Sequence, residues 1–437
     1  MELWVNIIIS VIFLVLSINH LKSRQSSFGY LLPGWIIVIL LAVYSVPASL
    51  LYAIDPNLIN ATFDRSLQYS SILGCQQCST VVLLAFYFSE LLAVQRKRMY
   101  RGKIDYIVWD LDIKNQRYKG LILILFLLSV YLYARRWDSV GGILNVLIIG
   151  RADAIYEMEA SGGSFARYDI ILFLSASFFF PYVLTHRFKK NKVFIILMAG
   201  LYASFFILLL AAGTRLPIVS IFFAGFSLLF TFNKEWLRRK KKLIIIGGIV
   251  FYLLFNVYSF FRNDYSNLLS NVRSRELSYV EIFFPNETLT SYLSYDAMIQ
   301  SPEHFYENQF YKLIPSTLRE LLNMKPFVPY ATRLQDIYQT VSTLTIPLPV
   351  DLYFGSKGIY VYMFLLAFFA FFIIDRAFAF LSKFRYGAIL MTWLYLLSFY
   401  FIRTESVGWF SRGMLLFILG IPLLLVMNSG SRAYIVK

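Results

Sequence analysis

Charge and cysteine are both scarce in this chain, and each scarcity removes possibilities. Only 15% of the 437 residues are charged, 58% are hydrophobic, and mean hydropathy is +0.63. The apolar residues come in long runs separated by short charged turns, which describes a series of membrane spans rather than one buried core. Ten-residue alternating strands are missing, which argues against an outer-membrane barrel. There is no GxxxxGK[ST], so no intrinsic ATP-driven motor, and no HExxH zinc-protease motif. The first apolar run, Trp4–Ile18, lacks a basic n-region and a small-residue cleavage site, so it reads as a retained span and not a signal peptide. The two cysteines, Cys75 and Cys78, form CQQC. That spacing suits a redox pair or half a metal site, but one pair cannot close a zinc site alone, and two small residues at a helix start is the plainer reading.

What is present is a polytopic, all-α pattern. Eleven spans (within a range of 10–14) are expected near 3–19, 31–53, 73–94, 120–135, 169–185, 193–211, 216–232, 243–261, 350–374, 387–402 and 412–428. The segment Gly141–Gly150 is too short to cross and reads as re-entrant or surface-lying. Six connections, 19–29, 95–119, 186–192, 233–242, 375–386 and the tail from 429, hold 25 of the Lys and Arg residues. The span count puts all six on one side, which the positive-inside rule makes the cytoplasm. The N-terminus is then outside, periplasmic in a bacterium, and the C-terminus cytoplasmic. The formal net charge of +16 reflects this bias and anionic lipid, and no nucleic-acid partner is expected.

The organisation has three parts. Residues 1–261 carry the N-terminal spans with a secondary outward segment at 135–168, residues 262–349 form one large outward loop, and 350–437 hold the C-terminal spans. The secondary segment contains an amphipathic helix around Ala152–Ala160, ended by SGG at 161–163. In the large loop, Ser274–Phe284 and Ser291–Gln300 read as helical pieces punctuated by Pro285 and Pro302. SPEHFYENQF at 301–310 reads as a helix start with Ser301 as cap and Pro302 in first position. The loop is rich in Tyr and Phe, which predicts an interfacial position at headgroup level.

The outward face carries 13 arginines against three lysines, whereas the inward connections hold 14 Lys and 11 Arg. The planar guanidinium binds phosphate or carboxylate through two parallel hydrogen bonds, so arginine enriched outside points to a specific anion. Four of them sit at span edges. Arg215 lies in AAGTRLP, Arg262 ends YSFFR, Arg403 ends LLSFYFIR, and Arg412 opens the last span in WFSRG. Arginine at the edge of an apolar run is costly unless paired or functional, and four near one leaflet favour a polyanionic lipid headgroup. Snorkelling with acidic partners such as Asp264 or Glu405 is the plain alternative for any one of them. A pyrophosphate-linked sugar lipid has a leaving group already activated. Arginines would hold the pyrophosphate and stabilise the charge that grows as the C1–oxygen bond breaks. The acceptor hydroxyl needs a proton sink, for which Glu405, His304, Glu303, Glu281 and Asp296 are candidates. The outward face has no DxD pair to hold a metal-bound nucleotide sugar, and the DLD at 110–112 lies inward.

These features resemble the bacterial O-antigen and oligosaccharide repeat-unit polymerases of the Wzy type. The resemblance rests on the span–Gly213-Thr214-Arg215–span element, on the Tyr258–Arg262 opening of the large loop, on STLTIPLPVDLYFGSKGIYVYMF at 342–364 with Gly355 and Gly358, and on Arg403 with Arg412-Gly413. It covers roughly residues 195–425. Leu216-Pro217 follows the GTR where the family often has a further glycine. The resemblance implies an inner-membrane, metal-independent glycosyltransferase with an all-helical, GT-C-like fold and no cofactor. It would move the growing glycan from undecaprenyl pyrophosphate to the next lipid-linked repeat unit at the periplasmic face, beside a flippase and a chain-length regulator. Arg215, Arg262, Arg403 and Arg412 would hold the two pyrophosphates, with Arg273 and Arg275 in reserve, and Glu405 or His304 would take the proton. The related O-antigen ligase, which transfers finished glycan to lipid A core, shares this layout and a loop histidine. A flippase or transporter is the rival from another class; it predicts paired repeats and mid-span charges.

Overall fold

The structure, a computed structural model, describes residues 1–25, 31–57, 68–97, 116–139, 165–185, 192–211, 216–232, 286–306, 346–381, 387–403 and 406–428, with scattered positions among 141–145, 239–248 and 310–334. The principal helices, in chain order, are α1 (Glu2–Gln25), α2 (Gly34–Ser45), α3 (Pro47–Ile54), α4 (Tyr69–Lys97), α5 (Gln116–Asp138), α6 (Phe165–Thr185), α7 (Lys192–Ala211), α8 (Leu216–Phe232), α9 (Asn286–Gln300), α10 (Leu348–Gly355), α11 (Tyr360–Leu381), α12 (Gly387–Arg403) and α13 (Ser406–Asn428). A 3-10 turn, Pro302–His304, follows α9, and no strand occurs among the described residues.

Six segments are long and apolar enough to cross a membrane: Glu2–Gln25, Gly34–Ile54, Tyr69–Ala93, Tyr118–Asp138, Lys192–Leu210 and Tyr360–Leu381. Shorter apolar helices occupy Asp169–Val183, Leu216–Thr231, Gly387–Ile402 and Arg412–Leu425. The chain is therefore a helical membrane protein. It divides into two units, one of Met1–Lys103, Asn233–Ala377 and Ser398–Trp409, the other of Ile104–Phe232, Phe378–Leu397 and Phe410–Lys437.

In the first unit α1 and α4 run parallel in constant register. The Leu3 amide donates to the Tyr69 hydroxyl (3.3 Å), the Gln76 amide to Ser10 Oγ (2.8 Å) and the Arg24 guanidinium to Glu90 (2.5 Å), each pair 66 residues apart. From Leu3 to Arg24 a helix rises about 30 Å, the thickness of a bilayer core. Helix α11 points the same way. The Tyr360 hydroxyl donates to Gln77 (3.0 Å), Phe371 meets Phe86 edge-on at 5.1 Å, and Asp375 accepts from Arg24 at 2.5 Å. Arg24, in the last turn of α1, thus bridges two carboxylates on two other helices, the Arg24 and Glu90 side chains each 5% exposed.

Parallel neighbours need a return crossing between them, and the apolar stretch Gly34–Ile54 supplies it. Pro47 breaks that stretch in two because it has no N–H and its ring excludes a preceding helical turn; it stands at the start of α3, where both defects are harmless.

The second unit is built on the antiparallel pair α5 and α6. Tyr118 donates to the Phe178 carbonyl (2.8 Å) near one end, and Tyr133 bonds Asp169 at the other. Tyr202 of α7 joins Ser175 (2.5 Å) and stacks on Phe179. Trp393 of α12 donates to Ser177 (2.8 Å), and its ring occupies the space a side chain at Gly420 of α13 would need.

Three sequence expectations change. The span expected at 350–374 is two helices, α10 and α11, broken at Ser356–Gly358, where Lys357 and Gly358 have φ of 55° and 78°. The helix start expected at 301–310 opens as a 3-10 turn, Pro302–His304, and Ser301 makes no side-chain cap bond; residues 307–309 lie outside the described residues. The helix expected at Ser291–Gln300 begins earlier, directly after Pro285.

Candidate functional site

Part of the stretch 262–349, read from sequence as one large loop, is a helix packed on the helices of the first unit. This helix, α9, packs against α4 and α2, with Tyr292 and Tyr295 1% and 3% exposed. The CQQC stretch explains how a polar helix enters an apolar bundle. Gln76 accepts from Ser49 Oγ (2.5 Å) and from the Tyr292 hydroxyl (3.3 Å), and those two hydroxyls are 2.6 Å apart. Its amide goes to Ser10, whose hydroxyl also pairs with Thr80 at 2.8 Å. Each such group left unpaired would cost about 1–3 kcal/mol, so a matched polar strip is the condition for burying α9. Two residues before Gln76, Gly74 leaves the notch that holds the Tyr295 ring; a Cβ there would run into its hydroxyl, Cζ and Cε1. The pairs Tyr292–Gln76 and Tyr295–Gly74 make α9 antiparallel to α4. Cys75 and Cys78 are free thiols packed inside the same face.

Beyond α9 the loop gathers on Phe354 of α10. The rings of Tyr295, Phe305, Tyr306, Tyr330 and Tyr353 surround it at 5.3–6.4 Å. Tyr295, Tyr353 and Tyr306 are linked by hydrogen bonds. Burial, then the neighbouring Tyr306, pushes the Tyr353 hydroxyl up to about 12. Gly358 is required twice, by its positive φ and by the Tyr306 hydroxyl 3.0 Å from where its Cβ would sit. Arg333 donates to the His304 carbonyl (2.5 Å) and lies over the Tyr330 ring. Arg319 is buried and donates to the Ile314 carbonyl at 2.7 Å. Asp351 and Asp296 are the buried carboxylates among the described residues of this region. Asp296 Oδ2 accepts from the Gln300 amide at 3.1 Å, whereas Oδ1 has no hydrogen-bond partner.

Of the residues singled out from sequence, His304 stands exposed in the 3-10 turn, its ring 3.6 Å from Glu303. Arg412 lies in the second unit with its side chain 13% exposed, 3.9 Å from the buried Asp169, which Tyr133 holds from its other oxygen. Arg136, also buried, stands one turn beyond Tyr133 on α5. Arg403 closes α12. Arg215, Arg262, Arg273, Arg275, Glu281 and Glu405 lie outside the described residues, as do the amphipathic helix around 152–160 and, apart from Ile246 and Gly248, the span at 243–261. Sequence reasoning missed the pairing of Arg412 with Asp169, the clamp Arg333 makes on His304, and Gln76 of CQQC as the anchor for α9. Among the described residues no three His, Cys, Asp or Glu side chains gather as metal ligands. No family model, curated protein or solved structure matches the chain.

Proposed function

We propose that the protein is a polytopic inner-membrane polymerase of surface polysaccharide, of the Wzy type. It transfers a growing glycan from undecaprenyl pyrophosphate to the next lipid-linked repeat unit on the periplasmic side. The observation that carries this reading is the burial of α9: the large outward loop brings a tyrosine-lined, carboxylate-bearing segment against membrane helices, where a lipid-linked sugar would meet it. The arginine bias of the outward face and the loop-end stretch at 342–364 support it. The parallel course of α1, α4 and α11 agrees with an odd number of crossings between α4 and α11, which the expected span at 243–261 would supply beside α5 to α8. In this reading Arg215, Arg262, Arg403 and Arg412 hold pyrophosphate oxygens, and the reaction is transfer without a metal or nucleotide sugar.

One observation favours the transporter reading instead. Arg24, Glu90 and Asp375 place three charged groups inside the first unit, and intramembrane charge often marks a translocation path. The ligase reading keeps His304 as its loop histidine. The test is the charge-conserving series R215K, R262K, R403K and R412K, assayed for glycan elongation on purified, folded protein. Arginine's fork is lost while the charge stays, so elongation should fall at least tenfold in each. Full activity in all four would end the pyrophosphate role.

A further inference from the structure

We propose that the 3-10 turn Pro302–His304 and the turn between α10 and α11 form a sugar-binding rim for the oligosaccharide of the lipid-linked repeat unit, presented by Glu303, His304, Tyr306 and Lys357. Its assignment to the repeat unit rests on the polymerase reading above. All four residues belong to the first unit, and all reach its surface. The Glu303 and His304 side chains are 68% and 61% exposed and stand 3.6 Å apart, Lys357 is exposed, and Tyr306 is half-buried. Tyr306 joins the two turns. Its amide donates to the Pro302 carbonyl (2.9 Å), its ring centre is 5.6 Å from that of Phe354, and its hydroxyl lies 3.0 Å from where a Cβ on Gly358 would sit. The frame beneath is fixed. Arg333 donates to the His304 carbonyl (2.5 Å), and Phe305 and Tyr330 are fully buried against Phe354.

Lys357 carries the strongest signal. Its φ is 55°, a left-handed conformation that is costly for a long side chain and free for glycine. Its amide goes to the Phe354 carbonyl (3.1 Å), a bond that glycine would make equally well. What lysine adds at this position is its ammonium, and strain retained in this way points to a task. The chemistry of the rim names the ligand. A sugar ring offers an apolar C–H face and a fringe of hydroxyls, each both donor and acceptor. Tyr306 supplies a flat apolar ring with a polar tip, at low cost in side-chain freedom. Glu303 supplies acceptors, the Lys357 ammonium supplies donors, and a neutral His304 supplies one of each. An anionic lipid headgroup fits less well, because Glu303 would repel its phosphate. The rim opens at the start of α11, at the far end of that helix from Asp375 and its bond to Arg24. This is the end expected to face outward.

The experiment measures binding of a free oligosaccharide, released from the host's own surface polysaccharide, to the full-length protein, and elongation by the same preparations. K357G is the cleanest variant, since glycine takes a φ of 55° without strain and the fold is kept. K357G and E303A/H304A should each weaken oligosaccharide binding about tenfold, the loss of one or two hydrogen bonds to charged groups, and should raise the KM of elongation with it. Wild-type affinity in both variants overturns the assignment, as does a wild-type protein that does not bind the oligosaccharide. Loss of bound phosphatidylglycerol in native mass spectrometry, with sugar binding intact, also overturns it and makes the rim a headgroup contact. A wild type that binds the oligosaccharide, loses it in both variants and yet does not elongate upholds the rim as a sugar site and sinks the polymerase reading instead.

Discussion

Gly74 offers the sharpest test of the loop's docking. A Cβ at this position would lie 2.8 Å from Cζ and 2.9 Å from Cε1 of Tyr295, nearer still to its hydroxyl, and ordinary contact begins near 3.4 Å. At Gly200 in α7 and Gly120 in α5 a Cβ would meet open space, with nothing within 4 Å. In a helix, Gly→Ala by itself stabilises by about 1 kcal/mol. Forcing an atom into a filled site costs about 1–3 kcal/mol. G200A should therefore unfold later than wild type, and G74A should fall about 1–3 kcal/mol below G200A. The chain's own thiols supply the assay. Cys75 and Cys78 are its two cysteines, and both are buried beside Gly74, so a thiol-reactive dye in a temperature ramp reports opening of this face. In a Y295A background G74A should cost nothing. Equal midpoints for G74A and G200A, with unchanged thiol labelling, would refute the docking of α9 on α4.

Other outcomes follow from the same geometry. R24A leaves Glu90 and Asp375 without their shared cation and should cost about 3–5 kcal/mol in chemical denaturation, an effect that E90Q/D375N should largely relieve. The Tyr353 hydroxyl titrates above its ordinary value of 10.0, so its contribution is complete below pH 10 and is lost as pH rises from there to about 12; Y353F should flatten that part of a stability–pH curve. G420V would drive a side chain into the Trp393 ring and Leu174, and should lower the unfolding temperature of the second unit by several degrees. Y133F removes the hydroxyl that orients Asp169 and should weaken its hold on Arg412, read as altered salt dependence of donor binding.

Hydrophobic runs made most of the helices legible, because lipid contact demands about twenty apolar residues whatever the fold. Their polar interior was not legible. Gln76 reads as an oddity beside two cysteines until Ser10, Ser49 and Tyr292 are seen around it, and those partners are up to 216 residues away in the chain. A glycine, two glutamines and two small thiols in one span did carry a signal, since small and polar residues mark close helix packing in membranes. Helix α9 was legible as a helix but not as a buried one: its polar residues look solvent-facing, and only the matching strip on α4 makes burial affordable. Pro302 suggested an α-helix start, yet it opens a 3-10 turn, and Phe305 after it goes into the aromatic cluster around Phe354. Arg412 stood out in the sequence but its partner Asp169 did not, because an ion pair across helices α6 and α13 has no local pattern.

The most direct measurement is reconstitution of the pure wild-type protein with undecaprenyl-pyrophosphate-linked repeat units from its own host, in the presence of EDTA, with products separated by size. The account predicts a ladder of lengthening glycans on the lipid carrier. No ladder, with either transfer to added lipid A core or movement of the lipid across the bilayer, would contradict it and assign the protein to the ligases or the transporters.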